Sequence, residues 1–588
     1  MFPPAGRIGK LAEQVSATDA EVCLARAEWQ RVLFAPAPRR HEILKLRPTW
    51  PLRNVRLRVH RNHGFEPVAS VLEKYLAYTG LAVEVAYSAY DDSLSLSTPG
   101  PADVELIWLD FSRLVAIGGA EELAAWALER IEALRGKSPA PILFTDAAGD
   151  LDRAAEFNAQ LRELTGNLPG VHICDLGQLH AQLGPAFFDE RTLATSGTRM
   201  SNAACVQAAR WLGSRWLPAA VAPRIKALAL DLDNTLYEGV LGEDGPEGVR
   251  LTDAHAALQR RVVELGAEGI FLALCSRNEP ADVERLLAVR TDFPLRPEHL
   301  AATEVSWGPK ADAVRRIADK LRIGTDAILF VDDNPGELAA VASAIPVSTL
   351  YAGPTGADSV AALNWYPRLF RWRADETDAL RTGDLTASRV REDLAAKAPD
   401  KAAYMRSLGV RLQFSRNVQG ELERLSALSN KTNQFNLSLS RCSPVDLAQL
   451  LAEPGNSAIA IRLSDRLSDS GIIGTMLTRR DGAALIVEDF CISCRALGRD
   501  LEDVMALEAI RAATDGLDGI RHVRFHPAVG PRNQPARDWL DGFAGETGRS
   551  DPQGWVTVNW DRSAADDLVE RMPVIVEHRD PGKQEQSA

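Results

Sequence analysis

Cysteine is scarce in this chain: seven residues (Cys23, Cys174, Cys205, Cys275, Cys442, Cys491 and Cys494) are scattered over 588. No CxxC pair has a second pair at zinc-finger distance, and the odd count argues against a disulfide framework, so a reducing setting fits best. Cys491 and Cys494 form C-I-S-C, but the apolar alternation around them reads as a strand, which sends their side chains to opposite faces. Long apolar runs are also missing. No stretch approaches the ~20 residues of a membrane span, and the Met1–Lys10 segment has no apolar signal core. A cytoplasmic location without membrane contact is expected. Basic residues are outnumbered, 67 Lys and Arg against 80 Asp and Glu, for a net charge of −13. That balance argues against nonspecific nucleic-acid binding as the main role, since such binding needs a basic surface to displace phosphate counterions, and leaves room only for a local basic patch.

What is present is the composition of a globular protein, with 46% hydrophobic and 25% charged residues. At ~150 residues per domain the length implies roughly three or four domains. Residues 1–50 read as a charged helical segment, an arm or a packing helix, stopped by the Pro-rich turn Arg47–Pro51. Over 51–220, short apolar runs (Val55–Val59, Ala82–Ala86, Val104–Leu109, Ala140–Phe144, Val171–Cys174) alternate with helical stretches, the pattern of repeated βα units on a parallel sheet. A second series over 221–355, with strands Lys226–Leu230, Ile270–Leu274 and Ala327–Val331, is expected to form a separate α/β domain. Residues 356–400 read as a helical linker. Residues 401–576 alternate in the manner of an antiparallel sheet with a long helix Leu501–Ala513, an α+β pattern. The polar tail 577–588 reads as disordered.

The strongest chemical signal is Lys226-Ala-Leu-Ala-Leu-Asp231-Leu-Asp233-Asn-Thr235, an apolar strand ending in two carboxylates. Ligands of open α/β sheets bind at the carboxyl ends of strands, so the following loop must bend to bring both acids to one site. The second strand ends in Cys275-Ser276-Arg277-Asn278 and the third in Asp332-Asp333-Asn334-Pro335, while Trp307-Gly308-Pro309-Lys310 places a lysine at a helix start. A nucleophilic carboxylate, a second carboxylate, a hydroxyl, a lysine and a further acidic pair suit phosphoryl transfer with Mg2+.

These residues resemble the haloacid dehalogenase (HAD) superfamily, whose DxDxT signature matches Asp231–Thr235 and whose later motifs match Ser276, Lys310 and Asp332-Asp333. The resemblance implies a Rossmann-like domain with Asp231 as nucleophile and Asp233 as general acid/base. It implies Mg2+ held by Asp231, the Asp233 backbone carbonyl and Asp332, with Asp333 completing the acidic pair. Thr235, Ser276 and Lys310 would bind the phosphoryl group. The longer string Asp231–Gly245, with Cys275-Ser-Arg-Asn and Trp307-Gly-Pro-Lys310, is similar to the FkbH-like subgroup. Asn430-Lys-Thr-Asn-Gln-Phe-Asn436 and Ser493-Cys-Arg-Ala-Leu-Gly-Arg499 resemble that subgroup's C-terminal acetyltransferase-like (GNAT) domain, and the N-terminal α/β domain resembles a degenerate SGNH-hydrolase-like domain. Such proteins transfer a glyceryl group from 1,3-bisphosphoglycerate to the phosphopantetheine thiol of an acyl carrier protein in polyketide-type pathways. A phosphatase acting on another phosphorylated carrier-bound, lipid or sugar substrate is the first alternative, and a carrier-docking scaffold with a vestigial site the second.

Further expectations follow. The short spacings from Asp231 to Ser276 and from Ser276 to Lys310 leave no room for a cap, so an open cleft is expected, suited to a carrier-tethered partner. Acyl transfer from an acyl phosphate to a thiol requires attack at carbon, so Cys275, beside Ser276, is a candidate acyl acceptor, with Cys494 as competitor and burial in the strand as the alternative. GNAT domains bind the pyrophosphate of coenzyme A at a loop opening a helix. Here Arg495-Ala-Leu-Gly498-Arg499-Asp500 ends in a carboxylate that would repel it, so Arg495, Gly498 and Arg499 are candidates for the carrier's pantetheine phosphate or its acidic surface instead, with a degenerate packing domain as the alternative. The N-terminal domain has no Gly-Asp-Ser nucleophile after its first strand. His60 and His63 read as ordinary loop histidines rather than a metal pair, and Arg199, in a family-like stretch, is a candidate binding residue.

Overall fold

The computed structural model describes residues 19–88, 101–149, 152–372, 400–493, 496–497, 499–530, 532–545, 548–563, 566–567 and 573–579, with single positions 387, 390, 391, 394 and 398. Three sheets are laid out along the chain.

The first holds β1 (Arg53–Arg61), β2 (Leu81–Tyr87), β3 (Val104–Trp108), β4 (Ile142–Thr145) and β5 (Val171–Cys174) in the order β2-β1-β3-β4-β5. Every neighbouring pair is parallel. The second holds β6 (Ala227–Leu230), β7 (Phe271–Ser276), β8 (Leu300–Val305), β9 (Ile328–Asp332) and β10 (Ser348–Tyr351) in the order β10-β9-β6-β7-β8. It too is all parallel. Parallel strands need helical crossovers that cover both faces, which is why β6, β7 and β9 are buried at every position.

The expected separation of these two units is not what the chain builds. Alternation along each strand sends one set of side chains into a single shared core: Val55, Leu57 and Val59 of β1 and Leu228 and Leu230 of β6 belong to one continuous apolar cluster. The opposite faces have their own cores, around Ile142 and Phe144 for the first sheet and around Ala227, Ala229 and Phe330 for the second. An aromatic seam joins the units. Trp211 lies 5.5 Å from Trp216 and 6.2 Å from Trp365, with the Arg210 guanidinium 3.7 Å over the Trp365 ring.

Of the two readings of the N-terminal segment, the helix Asp19–Leu33 is the packing helix and staples this arrangement. Trp29 and Leu33 enter the shared core, and Gln30 bonds the backbone of Tyr351 in both directions, at 3.1 and 3.2 Å. The helix Gly356–Trp365, expected within a linker, buries Ala362 and Leu363 in the same core and so covers the second sheet.

The third sheet comprises β11 (Arg411–Arg416), β12 (Ser457–Ser464), β13 (Asp469–Asp481), β14 (Ala484–Ile492), β15 (His522–Phe525), β16 (Arg549–Ser550), β17 (Val556–Asn559) and β18 (Ile575–Arg579), ordered β16-β17-β15-β14-β13-β12-β11-β18. It is mixed rather than antiparallel, because β14–β15 and β11–β18 are parallel. Residues 577–579, expected in a disordered tail, belong to β18; residues 580–588 lie outside the described set, as do Cys494, Arg495 and Gly498. Among the described residues no helix is long and apolar enough to cross a membrane.

Candidate active site

In an open parallel sheet the ligand crevice lies at the carboxyl ends of the strands, where successive crossovers part to opposite sides. In the second sheet that point falls between β6 and β9. Asp231 follows β6 directly, and its backbone N–H donates to the Val331 carbonyl at 3.0 Å, tying the two strand ends together. The loop then bends at Asn234, which takes a left-handed φ of 54° and pairs with Gly239 through its backbone and side chain. Asparagine tolerates that conformation better than most residues.

The bend separates the two acids of the signature. Asp231 faces the crevice, where the Lys310 ammonium lies 3.0 Å from its carboxylate and 2.6 Å from that of Asp332. One carboxylate oxygen from each of Asp231, Asp332 and Asp333 lies within 4.8 Å of the others. Asp233 is not one of these three and is held by other partners. Its Oδ1 accepts from the Tyr237 hydroxyl at 2.7 Å and the Leu241 amide at 2.9 Å, and its Oδ2 accepts from the Asn278 amide at 2.9 Å. Three donors on one carboxylate fix its orientation.

Lys310 opens the helix Lys310–Leu321, whose residues Val314, Ile317, Ala318 and Leu321 pack at helical spacing against the outer face of the sheet. That packing pins the lysine over the strand ends. Burial pushes up the pKa of Asp231, with Lys310 opposing. Burial and the neighbouring Asp231 charge raise that of Asp332 to about 7, and burial with Asp231 also raises that of Asp333. Burial works against the Lys310 ammonium, but Asp231 and Asp332 outweigh it and hold the lysine above its ordinary value. Three acids crowded around one cation form a donor set short of positive charge, the setting in which a divalent oxygen-liganded ion fits.

Ser276 ends β7 with its hydroxyl on the Asp231 carboxylate and accepting from Asn278 at 3.1 Å. Thr235 is differently placed from the phosphate-binding role expected of it. Its buried hydroxyl accepts the Asp333 amide at 3.1 Å and lies 3.4 Å from the Asp333 carboxylate, so it ties the β6 loop to the β9 loop. The Cys275 expectation is corrected. One residue before Ser276 on a strand, Cys275 points to the opposite face, fully buried, 3.9 Å from the Lys310 carbonyl. Burial pushes its thiol up to about 12, so it is neither exposed nor ionised.

No domain is inserted around this cleft. Helices Leu241–Gly248 and Asp253–Ala267 fill the span before β7, and helix Pro280–Val289 with β8 fills the span before Lys310. Trp307, three residues before Lys310, is 69% exposed, and Arg277 pairs with Glu337 at 2.6 Å beside it. Tyr237 and Asn278 were missed as site residues in the sequence. Both lay inside quoted motif strings, but nothing local shows that they converge on Asp233.

Elsewhere, Arg499 is buried and paired with Asp465 at 3.3 Å. His60 and His63 diverge, His60 to Glu105 at 2.9 Å and His63 to the Thr198 hydroxyl at 2.9 Å. Arg199 lies against Asp110 within the first unit, 2.9 Å away.

The chain matches no protein-family model and no curated protein. Among solved structures it is similar to the N-terminal part of a Bacteroides fragilis protein containing a phosphatase domain, complexed with Mg, at 20% identity and a TM-score of 0.45, covering 60% of this chain and 99% of that one. It is also similar to an aminoglycoside acetyltransferase in complex with coenzyme A, at 13% identity and a TM-score of 0.19, covering 27% and 98%. A third likeness is to a Vibrio cholerae spermidine N-acetyltransferase in complex with coenzyme A and spermine, at 14% identity and a TM-score of 0.19, covering 25% and 93%.

Proposed function

We propose that the second unit is a Mg2+-dependent phosphoryl-handling centre of HAD type, serving glyceryl transfer from 1,3-bisphosphoglycerate to the thiol of an acyl carrier protein. The observation that carries the reading is the buried set of Asp231, Asp332 and Lys310 with Asp333, at the point where β6 and β9 part. Asp231, Asp332 and Asp333 would hold the ion, which would offset phosphoryl charge when bound. A SGNH-like first unit and a GNAT-like third unit are part of the same proposal.

The donor carries an acyl phosphate at one end and a phosphate ester at the other, so a phosphate-free glyceryl thioester requires two cleavages. At the acyl end, the carrier sulfur attacks the carbonyl carbon, phosphate leaves with the C–O bond, and the thiol proton passes to solvent. At the ester end, the Asp231 carboxylate attacks phosphorus and forms an aspartyl-phosphate as the P–O bond to the alcohol breaks and that oxygen takes a proton from water; a water then attacks the aspartyl-phosphate, freeing Asp231 and phosphate, and gives its proton to the Asp233 carboxylate. Lys310 and Ser276 place a cation and a hydroxyl beside the nucleophile.

Among the described cysteines none is placed as an acyl acceptor, which favours direct transfer to the carrier thiol; Cys494 lies outside the described residues. Cys23, Cys174, Cys205, Cys275 and Cys491 are buried, and burial raises the pKa of each of these thiols and of Cys442. The uncapped cleft suits a tethered substrate. The test is intact-mass analysis of a phosphopantetheinylated carrier with Mg2+ and 1,3-bisphosphoglycerate, alongside Asp231→Asn. A glyceryl increment on the carrier with the native enzyme, and a product still phosphorylated or absent with the variant, supports the reading. Phosphate release with no gain of mass on the carrier replaces it with a plain phosphatase.

A further inference from the structure

A GNAT resemblance implies coenzyme A, and the third sheet offers one natural place for its extended, amide-bearing arm. Strands β14 and β15 run parallel only from Ala484–His522 to Val487–Phe525. Beyond that they diverge, while β14 continues to Ile492 and leads toward the helix Glu502–Thr514. A ligand whose pyrophosphate sat at that helix start would run its arm along the β14 edge left open by the divergence, adding to the sheet as a strand does.

That edge is taken. We infer that the chain's own segment 435–437 closes the cleft between β14 and β15 by strand addition, so that coenzyme A is not accommodated there. The Ile492 amide donates to the Phe435 carbonyl and the Leu437 amide to the Phe490 carbonyl, both at 2.9 Å, with Asn436 opposite Cys491 in antiparallel register. On the other side, the Ala528 amide beyond β15 donates to the Leu437 carbonyl at 2.9 Å. The segment therefore bridges both diverging chains, using the backbone groups a ligand's amides would need.

Its side chains anchor it as core residues. Phe435 and Leu437 are buried in the main cluster of this unit, and the Phe435 ring stands 5.7 Å from Phe490 and 5.5 Å from Trp539. Buried amides complete the fixing. Asn436 donates to the Ser429 carbonyl at 2.9 Å and accepts from the Leu439 amide at 2.7 Å, while Asn533 donates to the Asn436 and Ala528 carbonyls at 3.0 and 2.9 Å. Arg441 holds the approach to the segment: its Nη1 donates to the carbonyls of Ser429, Asn430 and Thr432, and its Nη2 to Asn433. The Asn430–Asn436 motif thus has a mechanical explanation: Asn430 and Asn433 hold Arg441 at the approach, and Asn436 fixes the segment from within.

At the helix start where a pyrophosphate would sit, the first turn carries the acidic Glu502 and Asp503, and Arg499 is already paired with Asp465. This inference concerns the third unit only and stands or falls apart from the phosphoryl chemistry of the second.

Amide hydrogen exchange on the full-length protein, with and without millimolar coenzyme A, tests it alongside a calorimetric titration. Slow exchange at Leu437, Ile492 and Ala528, unchanged by coenzyme A, is expected whether or not heat is released, because binding elsewhere leaves the cleft closed. Exchange at those three amides as fast as in exposed loops overturns the inference. So does saturable binding that alters their protection.

Discussion

Two parallel sheets in one chain end in crevices of the same kind and use them in opposite ways. Between β6 and β9, three carboxylates and a lysine face a cleft. Between β1 and β3, the corresponding point is filled by the protein itself. Asn62 exchanges hydrogen bonds with the Asp110 backbone at 2.7 and 3.0 Å, Arg199 lies on the Asp110 carboxylate, and His63 stacks on Trp108 with its ring centroid 5.6 Å away. The loop carrying Arg199 presses down so closely that a Cβ on Gly64 would meet the Ser196 carbonyl at 2.0 Å. The difference teaches that topology supplies a crevice and side chains decide whether it is a site. One crevice keeps its charge unbalanced; the other balances and seals it.

The sharpest way to break the contrast is Lys310→Met. It leaves Asp231 and Asp332 buried without their cation, and removing one partner of a buried ion pair costs ~3–5 kcal/mol. Thermal denaturation should show that loss, and added Mg2+ should recover part of it by joining the same carboxylates. A variant as stable as the native protein would contradict the assigned charge balance.

Acid should act on the sealed crevice. Burial lowers the His63 pKa from 6.5 to about 4, against the opposing pull of Asp110. The unfolded chain then binds the extra proton first, so His63 contributes stability that is fully present above pH 6.5 and falls away as pH drops toward 4. The full swing is ~3 kcal/mol. Denaturant unfolding followed from pH 7 to 4.5 should show a stability loss that His63→Gln reduces; identical slopes in both proteins would remove His63 from the account.

Arg199→Met opens the same crevice by a smaller amount. Asp110 keeps its bonds to Ser112 and its ion pair with Arg113 at 3.5 Å but loses the Arg199 guanidinium, an expected cost of ~1–3 kcal/mol in stability with phosphate turnover unchanged. A loss of turnover would make the first unit part of the reaction centre.

How much of this was legible follows from range. The strand ends carrying Asp231, Ser276 and Asp332 read directly, because long apolar runs mark buried parallel strands. β8 and β10 were not read: Leu300–Val305 and Ser348–Tyr351 are edge strands, only partly buried, with weak apolar patterns. The orientation of Cys275 was legible and overlooked, since a strand that aims Ser276 at the site must aim its neighbour away. The pairing of Arg499 with Asp465, the insertion of 435–437 beside β14 and the core shared by two units all depend on contacts distant in sequence, which no local pattern encodes.

The smallest expected effect concerns orientation. Burial and the Asp233 charge hold the Tyr237 hydroxyl protonated far above the ordinary tyrosine range, so it acts as a fixed donor. Tyr237→Phe removes one of three donors to Asp233 and should lower kcat about tenfold, equivalent to ~1.4 kcal/mol, with KM little changed. A change confined to KM would place Tyr237 in substrate binding instead.

The most direct measurement sets the two crevices against each other: phosphate release from 1,3-bisphosphoglycerate with Mg2+, by native protein, Asp231→Asn and Asp110→Asn in parallel, above spontaneous hydrolysis. The account predicts enzyme-dependent release by the native protein and by Asp110→Asn, and none by Asp231→Asn. Release that survives in Asp231→Asn and disappears in Asp110→Asn would contradict it.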